Sequence, residues 1–74
     1  MNKLFDMLDH LKEVITSENH GLIFILRSHT ITVYNFDCTE IDVISTSYEK
    51  PEASLKDFDD AVKEYLTDLE NDNG

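Results

Sequence analysis

The sequence has few of the residues that mark extracellular, membrane or disulfide-stabilised proteins. Cys38 is its single cysteine in 74 residues, which excludes an internal disulfide framework. Neither a charged-then-apolar leader nor a long apolar run points to export or membrane insertion, so we expect a cytoplasmic protein with no membrane partner. A chain of this length buries only about 60% of the surface that its unfolded form exposes, which leaves little room for a deep active site.

Basic residues are also scarce. Six lysines and arginines face sixteen aspartates and glutamates, for a formal net charge of -10, while 41% hydrophobic residues favour a globular chain. Because nucleic acid repels so acidic a protein, we expect no direct nucleic-acid binding and a basic protein as partner. The charge is polarised: residues 1–36 carry four acidic and three basic side chains, net -1, and residues 37–74 carry twelve and three, net -9.

The first segment has the periodicity of an amphipathic helix. Leu4, Leu8, Leu11 and Ile15 follow the spacing of one helix face. The sequence "TSENHG" then favours a turn, where Gly21 can accept a positive φ. We therefore predict a helix over residues 4–15.

Three strands are predicted next. "LIFILR", over 22–27, is apolar on both faces, and "TITVYNF", over 30–36, alternates. A less regular strand is predicted over 41–48, before Pro51 removes an amide donor and interrupts the pattern.

A second helix is predicted from Ser54. Ser54 and Asp57 have the spacing of a capping box. An apolar stripe then follows at helical spacing: Leu55, Phe58, Val62, Leu66 and Leu69. The predicted fold class is α+β, in the order αβββα, with a three-stranded antiparallel sheet and both helices packed on one face. Residues 1–70 form the predicted single domain, and 71–74 a frayed acidic tail.

The predicted core contains Leu8, Leu11, Phe58 and Leu66. Which sheet face the helices cover stays open. If they cover the face of Ile31 and Val33, then Tyr34 and Phe36 lie on an open apolar face that can serve as an interface. In the opposite case, the two aromatic side chains belong to the core.

A ridge of carboxylates runs along the second predicted helix, at Asp57, Asp60, Glu64 and Asp68. Two interpretations stay open: a solubilising exterior, or a working surface that binds a partner. The polarised charge favours the second, because like charges at i, i+4 cost a few tenths of a kcal/mol each. The ridge spans about 16 Å, and Asp37, Glu40 and Asp42 are candidates for a second acidic patch.

Catalytic and metal signatures are absent from the sequence. His10, His20, His29 and Cys38 show none of the short paired spacings of a zinc site. No histidine neighbours Cys38 in sequence, and Ser54 is better explained as a helix cap than as a prosthetic-group attachment site. We therefore expect no enzyme activity, no cofactor and no bound metal.

In its small size, acidity, αβββα order and C-terminal charge, the chain resembles small acidic inhibitors encoded by bacteriophages, including anti-CRISPR proteins of the DNA-mimic type. The resemblance covers the whole chain in outline, with no match of motifs. It implies a host nucleic-acid-binding protein as target, held by competition with DNA or RNA. The alternative is a regulatory module that forms a homodimer through the apolar sheet face, since one layer of helices buries only one face of a strand that is apolar on both.

Overall fold

The computed structural model describes residues 8–72, which form a four-stranded antiparallel sheet followed by a single C-terminal helix. The strands are β1 (Glu13–Ser17), β2 (Leu22–Arg27), β3 (Thr30–Asn35) and β4 (Glu40–Ser45), and the helix is α1 (Leu55–Asp72). Each strand pairs antiparallel with the next, in the order β1-β2-β3-β4. The sheet is a meander whose two edges are β1 and β4.

The predicted αβββα fold, with three strands and two helices on one face, is wrong. Residues 13–17 form β1 where the prediction extended a helix to residue 15, and positions 4–7 lie outside the described residues. Val14, Ile15 and Thr16 are three consecutive β-branched residues, which favour a strand. Pairing decides the outcome, because β2 is apolar on both faces and gains a hydrogen-bonded neighbour on each side.

The turns of the meander use residues with positive φ. Gly21 has a φ of 66° at the β1–β2 connection; the sequence predicted a turn with positive φ here, but at the end of a helix and not of a strand. Ser28 (56°) opens the two-residue turn between β2 and β3, and Cys38 (68°) lies between β3 and β4. Strand β2 has the predicted bounds, whereas β3 ends one residue earlier than predicted and β4 runs from residue 40 to 45.

Helix α1 begins as the sequence predicted. The Asp57 amide donates to the Ser54 hydroxyl at 3.1 Å, and the Ser54 amide donates to the Asp57 carboxylate at 3.0 Å. This reciprocal capping box satisfies two amides at the start of the helix. The helix continues through Asp72, so residues 71 and 72 are helical, and residues 73–74 lie outside the described part of the chain.

The main core lies between α1 and one face of the sheet. Phe58 and Val62 are its helix residues and are almost completely buried. The sheet contributes Leu22, Phe24, Leu26, Ile31 and Val33, and the partly buried Ile15, Ile44, Ala61, Tyr65, Leu66 and Leu69 pack around them. The helix therefore covers the face that carries Ile31 and Val33.

The opposite sheet face has a smaller cluster of its own. Ile25 and Tyr34 are buried there, and Leu11, Ile23 and Cys38 pack against them. Tyr34 is only 9% exposed, although it lies on the face that α1 does not cover. Leu8, predicted to be core, is 37% exposed, so that prediction is wrong.

The connection from β4 to α1 is held to the sheet by His29. The His29 carbonyl accepts hydrogen bonds from the amide and hydroxyl of Thr46, and the His29 ring contacts the Pro51 carbonyl at 3.2 Å and the Tyr48 ring at a centroid distance of 4.8 Å. An ion pair between Lys12 and Glu52 adds a contact to the other edge of the sheet. These contacts fix where α1 starts relative to β4.

Candidate functional site

The acidic ridge lies on the flank of α1 that faces β4. It borders two adjoining depressions of about 320 and 210 Å³ between the helix and the edge strand. We call this surface the β4–α1 groove and define it by its lining residues: Ile44, Ser45, Thr46, Ser47, Lys50, Asp57, Asp60, Ala61, Glu64, Tyr65 and Asp68. All four predicted ridge carboxylates line this one groove.

The floor of the groove is apolar. Ile44 projects from β4 toward Ala61 and Tyr65 of the helix. The Tyr65 ring packs edge-on against Phe24, with centroids 5.5 Å apart and planes at 78°, so the floor is continuous with the main core. A side chain that enters the groove therefore meets half-buried apolar groups below and carboxylates on the helix side.

Asp42 adds a fifth carboxylate. It pairs with Val33 in the sheet register and so shares the face that α1 covers. Its carboxylate lies close enough to the Tyr65 hydroxyl to influence it: burial, together with the charge and hydrogen-bonding capacity of Asp42, raises the pKa of that hydroxyl. One residue of the predicted second patch thus joins the ridge.

The other two residues of the second patch lie elsewhere. Asp37 sits in the β3–β4 turn, where its carboxylate accepts a hydrogen bond from the Thr39 amide at 3.0 Å. The register shift between Val33 and Tyr34 pairs Glu40 with Tyr34, on the face opposite the groove. Asp37, Glu40 and Asp42 therefore do not form one patch.

The groove carboxylates differ in whether they already make hydrogen bonds or ion pairs within the folded chain. Asp57 caps the helix and pairs with Lys50 at 3.2 Å, and the Ser54 amide, the Ser54 hydroxyl and the Lys50 ammonium lower the pKa of its carboxyl from the ordinary 3.8. Within residues 8–72, no hydrogen bond or ion pair within 4 Å engages Asp60, Glu64 or Asp68. These three side chains are available to a partner without loss of a hydrogen bond or ion pair of the fold, although the charge of Asp60 adds to the hydrogen bond and charge of Asp59 in raising the pKa of the Lys63 ammonium.

The opposite flank of α1 has the reverse arrangement, with its carboxylates paired. Asp59 binds Lys63 at 2.9 Å, and Glu70 lies 3.3 Å from the His20 ring at the β1–β2 turn. Unpaired negative charge is therefore concentrated on the β4 side of the helix. The Asp59–Lys63 pair follows the i, i+4 spacing of a helix, whereas the Glu70–His20 contact and the groove beside β4 depend on the tertiary fold.

One polar constellation was missed by the sequence reasoning. Ser17 Oγ lies 2.8 Å from His20 Nδ1, and His20 Nε2 lies 3.3 Å from the Glu70 carboxylate. The order resembles a Ser–His–acid relay, but Glu70 is two-thirds exposed and the β4–α1 groove lies on the other flank of the helix. The contacts join the β1–β2 turn to the end of α1, and the i, i+3 spacing of Ser17 and His20 was their only signal in the sequence.

The structure also shows where the candidate metal ligands and the two aromatic side chains of the alternative interface lie. Among residues 8–72, no group of three or more histidine, cysteine, aspartate or glutamate side chains is arranged to hold a metal ion. Phe36, half of the predicted alternative interface, is 51% exposed, whereas Tyr34 is buried. The two aromatic side chains do not form a joint exposed surface.

Comparison with protein-family models, with curated proteins and with solved structures gave no match. Within the described part of the chain, no helix combines the length and the apolar character needed to cross a membrane. We therefore infer function from the geometry and charge of the groove.

Proposed function

We propose that this protein is a non-enzymatic inhibitor whose β4–α1 groove binds a basic, nucleic-acid-binding surface of another protein. The observation that carries the proposal is the row of carboxylates at Asp60, Glu64 and Asp68, which make no hydrogen bond or ion pair within residues 8–72, above an apolar floor. Asp42 extends the row on the strand side. The binding is competitive: while the groove is engaged, DNA or RNA is kept from the partner's basic surface.

Spacing and charge support this mode of action. At 1.5 Å per residue, the carboxylates of Asp60, Glu64 and Asp68 rise about 6 Å apart along the helix. Duplex DNA places a charge every ~1.7 Å of axis, or ~3.4 Å along one strand, so this row supplies a line of negative charge at about half the density of one phosphate strand. A net charge of -10 accelerates encounter with a basic surface and disfavours acidic partners.

The test compares three baits in a pull-down from lysate of the native cell: the wild type, a groove variant and a matched control. The groove variant D60N/E64Q/D68N leaves the Asp57 cap in place. The control E18Q/D59N/E70Q removes the same number of charges from the β1–β2 turn and the opposite flank of α1. Bound protein is eluted with increasing salt and, separately, with added DNA or RNA.

We expect the wild type and the control to retain a nucleic-acid-binding protein that nucleic acid and salt displace, and the groove variant to lose at least nine-tenths of it. Equal retention by all three baits, or a partner that nucleic acid does not displace, contradicts the proposal.

A second proposal is a homodimer. Its support is the exposed apolar surface near β4, where Phe36, Ile41 and Val43 are 51, 46 and 48% exposed. Because Tyr34 is buried, such a dimer would use Phe36 without it. Light scattering at high micromolar concentration distinguishes a dimer from a monomer.

A further inference from the structure

Strand β4 is an edge of the sheet, and within residues 8–72 no strand pairs with its outer side. Thr46 donates to the His29 carbonyl at 2.8 Å, and in an antiparallel ladder the residues alternate between bonding the neighbour and facing away. Ile44 and Asp42 therefore bond β3, while the amides of Val43 and Ser45 point out of the sheet. All of β4 except Ile44 is exposed.

The outward amide of Val43 is occupied by a neighbouring carboxylate. It donates to Asp42 Oδ1 at 2.8 Å. The other edge has the same device, since the amide of Val14 on β1 donates to Glu13 Oε1 at 3.1 Å. A carboxylate over an edge amide discourages pairing with an unselected strand.

A strand with basic residues displaces the Asp42 carboxylate from the Val43 amide. Its lysine or arginine gives the Asp42 carboxylate a new partner, which frees the Val43 amide for a carbonyl of the incoming strand. A neutral or acidic strand offers no such exchange. The edge is therefore selective for positive charge in a way that charge on the helix alone would not be.

The spacing of the carboxylates along the groove also matches the spacing of alternate side chains in a β-strand. Contacts place Asp57 and Asp60 beside Ser45–Ser47, and Tyr65 beside Asp42, so α1 runs antiparallel along β4. Alternate side chains of a strand lie about 6.6 Å apart, and Asp60, Glu64 and Asp68 rise about 6 Å apart. Basic residues at every second position of an added strand thus face the groove, and the residues between them lie beside the exposed Val43 on the other face.

We propose that β4 binds its partner by strand addition, accepting an extended segment in which basic residues alternate with apolar ones. This proposal rests on the proposed function of the groove, and it adds that the partner binds as an extended strand. Backbone hydrogen bonds to Val43 and Ser45 supply the binding register, and the groove carboxylates select the sequence.

The probe is a fluorescein-labelled synthetic hexapeptide of alternating lysine and valine, titrated into the full chain and followed by anisotropy. Two control peptides keep its composition and charge: a block peptide of three lysines and three valines, and the alternating peptide with N-methylated valine amides. The variant V43P removes the outward amide of β4 without removing a bond to β3. V14P makes the same change on β1 and is its matched control.

We expect the alternating peptide to bind the wild type and V14P equally, and V43P at least tenfold more weakly. Both control peptides should bind the wild type at least tenfold more weakly than the alternating peptide. This second comparison uses unaltered protein, so it holds even if a proline variant unfolds.

Equal binding of all three peptides to the wild type, or no binding of the alternating peptide, overturns strand addition. The variant D60N/E64Q/D68N distinguishes failure of strand addition from failure of the proposed function. If the peptides bind equally and this variant loses them all, the acidic groove binds by charge alone and the proposed function stands. If the peptides bind the wild type and this variant binds them equally well, the groove carboxylates are not used and both proposals fail.

Discussion

Individual side chains divide into those that hold the fold and those that the fold leaves unused. Phe58 belongs to the first group, since it is fully buried against β2 and β3. Truncating it to alanine removes most of a large side chain and leaves a cavity, at a cost of roughly 3 to 5 kcal/mol. In so small a domain this is comparable with the whole free energy of unfolding.

We therefore expect F58A to be largely unfolded in the absence of denaturant, as measured by circular dichroism and urea titration. Leu55, which is 60% exposed on the same helix, gives the matched control L55A. A folded F58A with wild-type stability contradicts the assigned core.

The capping box makes stability depend on pH. The folded-state pKa of Asp57 lies below its ordinary 3.8, so the unfolded chain binds more protons between the two values. The stabilisation by Asp57 is full above the unfolded pKa and is lost as the pH falls through the folded one. The difference in unfolding free energy between the wild type and D57A should therefore shrink as the pH falls from 6 to 3.

Urea titrations across that pH range measure the difference. D60A is the control, because Asp60 caps nothing and accepts no hydrogen bond. A difference between the wild type and D57A that stays constant with pH contradicts the assigned role of Asp57. Replacing its partner in S54A should cost about 1 kcal/mol at neutral pH.

Secondary-structure elements show what the sequence could and could not predict. The start of α1 was predictable because the cap and the apolar stripe are local patterns, and β2 because six consecutive residues favour a strand. Strand β1 was mispredicted because Leu8, Leu11 and Ile15 have helical spacing, while the pairing of Ile15 with Phe24 that decides its structure is not local. The ridge was visible in the sequence, but the groove beside it required the position of β4.

Hydrogen exchange tests the edge position of β4. The amides of Val43 and Ser45 should exchange rapidly, because their partners are a solvent-exposed carboxylate or water. The inward amide of Ile44 should be protected, and the amides of β2 and β3 most of all. Exchange resolved by residue with NMR measures this, and protection of Val43 and Ser45 equal to that of Ile44 would show that the edge is already covered, as in a dimer.

At the scale of the whole molecule, the accumulated negative charge does not by itself stabilise the fold. Asp60, Glu64 and Asp68 form two like-charge i, i+4 pairs, each costing a few tenths of a kcal/mol. D60N/E64Q/D68N should therefore be folded and slightly more stable than the wild type, by roughly 0.5 kcal/mol at low salt. Thermal unfolding at low and high salt measures the gain, which should shrink as salt screens the repulsion. A clear loss of stability would assign these residues a structural role.

The central claim is that the β4–α1 groove competes with nucleic acid for a basic partner. Its most direct test is a displacement titration, in which the partner recovered by pull-down is loaded with fluorescent DNA or RNA and the released fraction is measured as each protein is added. We predict that the wild type and E18Q/D59N/E70Q release the nucleic acid at equal concentrations, and that D60N/E64Q/D68N needs at least ten times more. Release by all three proteins at the same concentration, or by none of them, would contradict the claim.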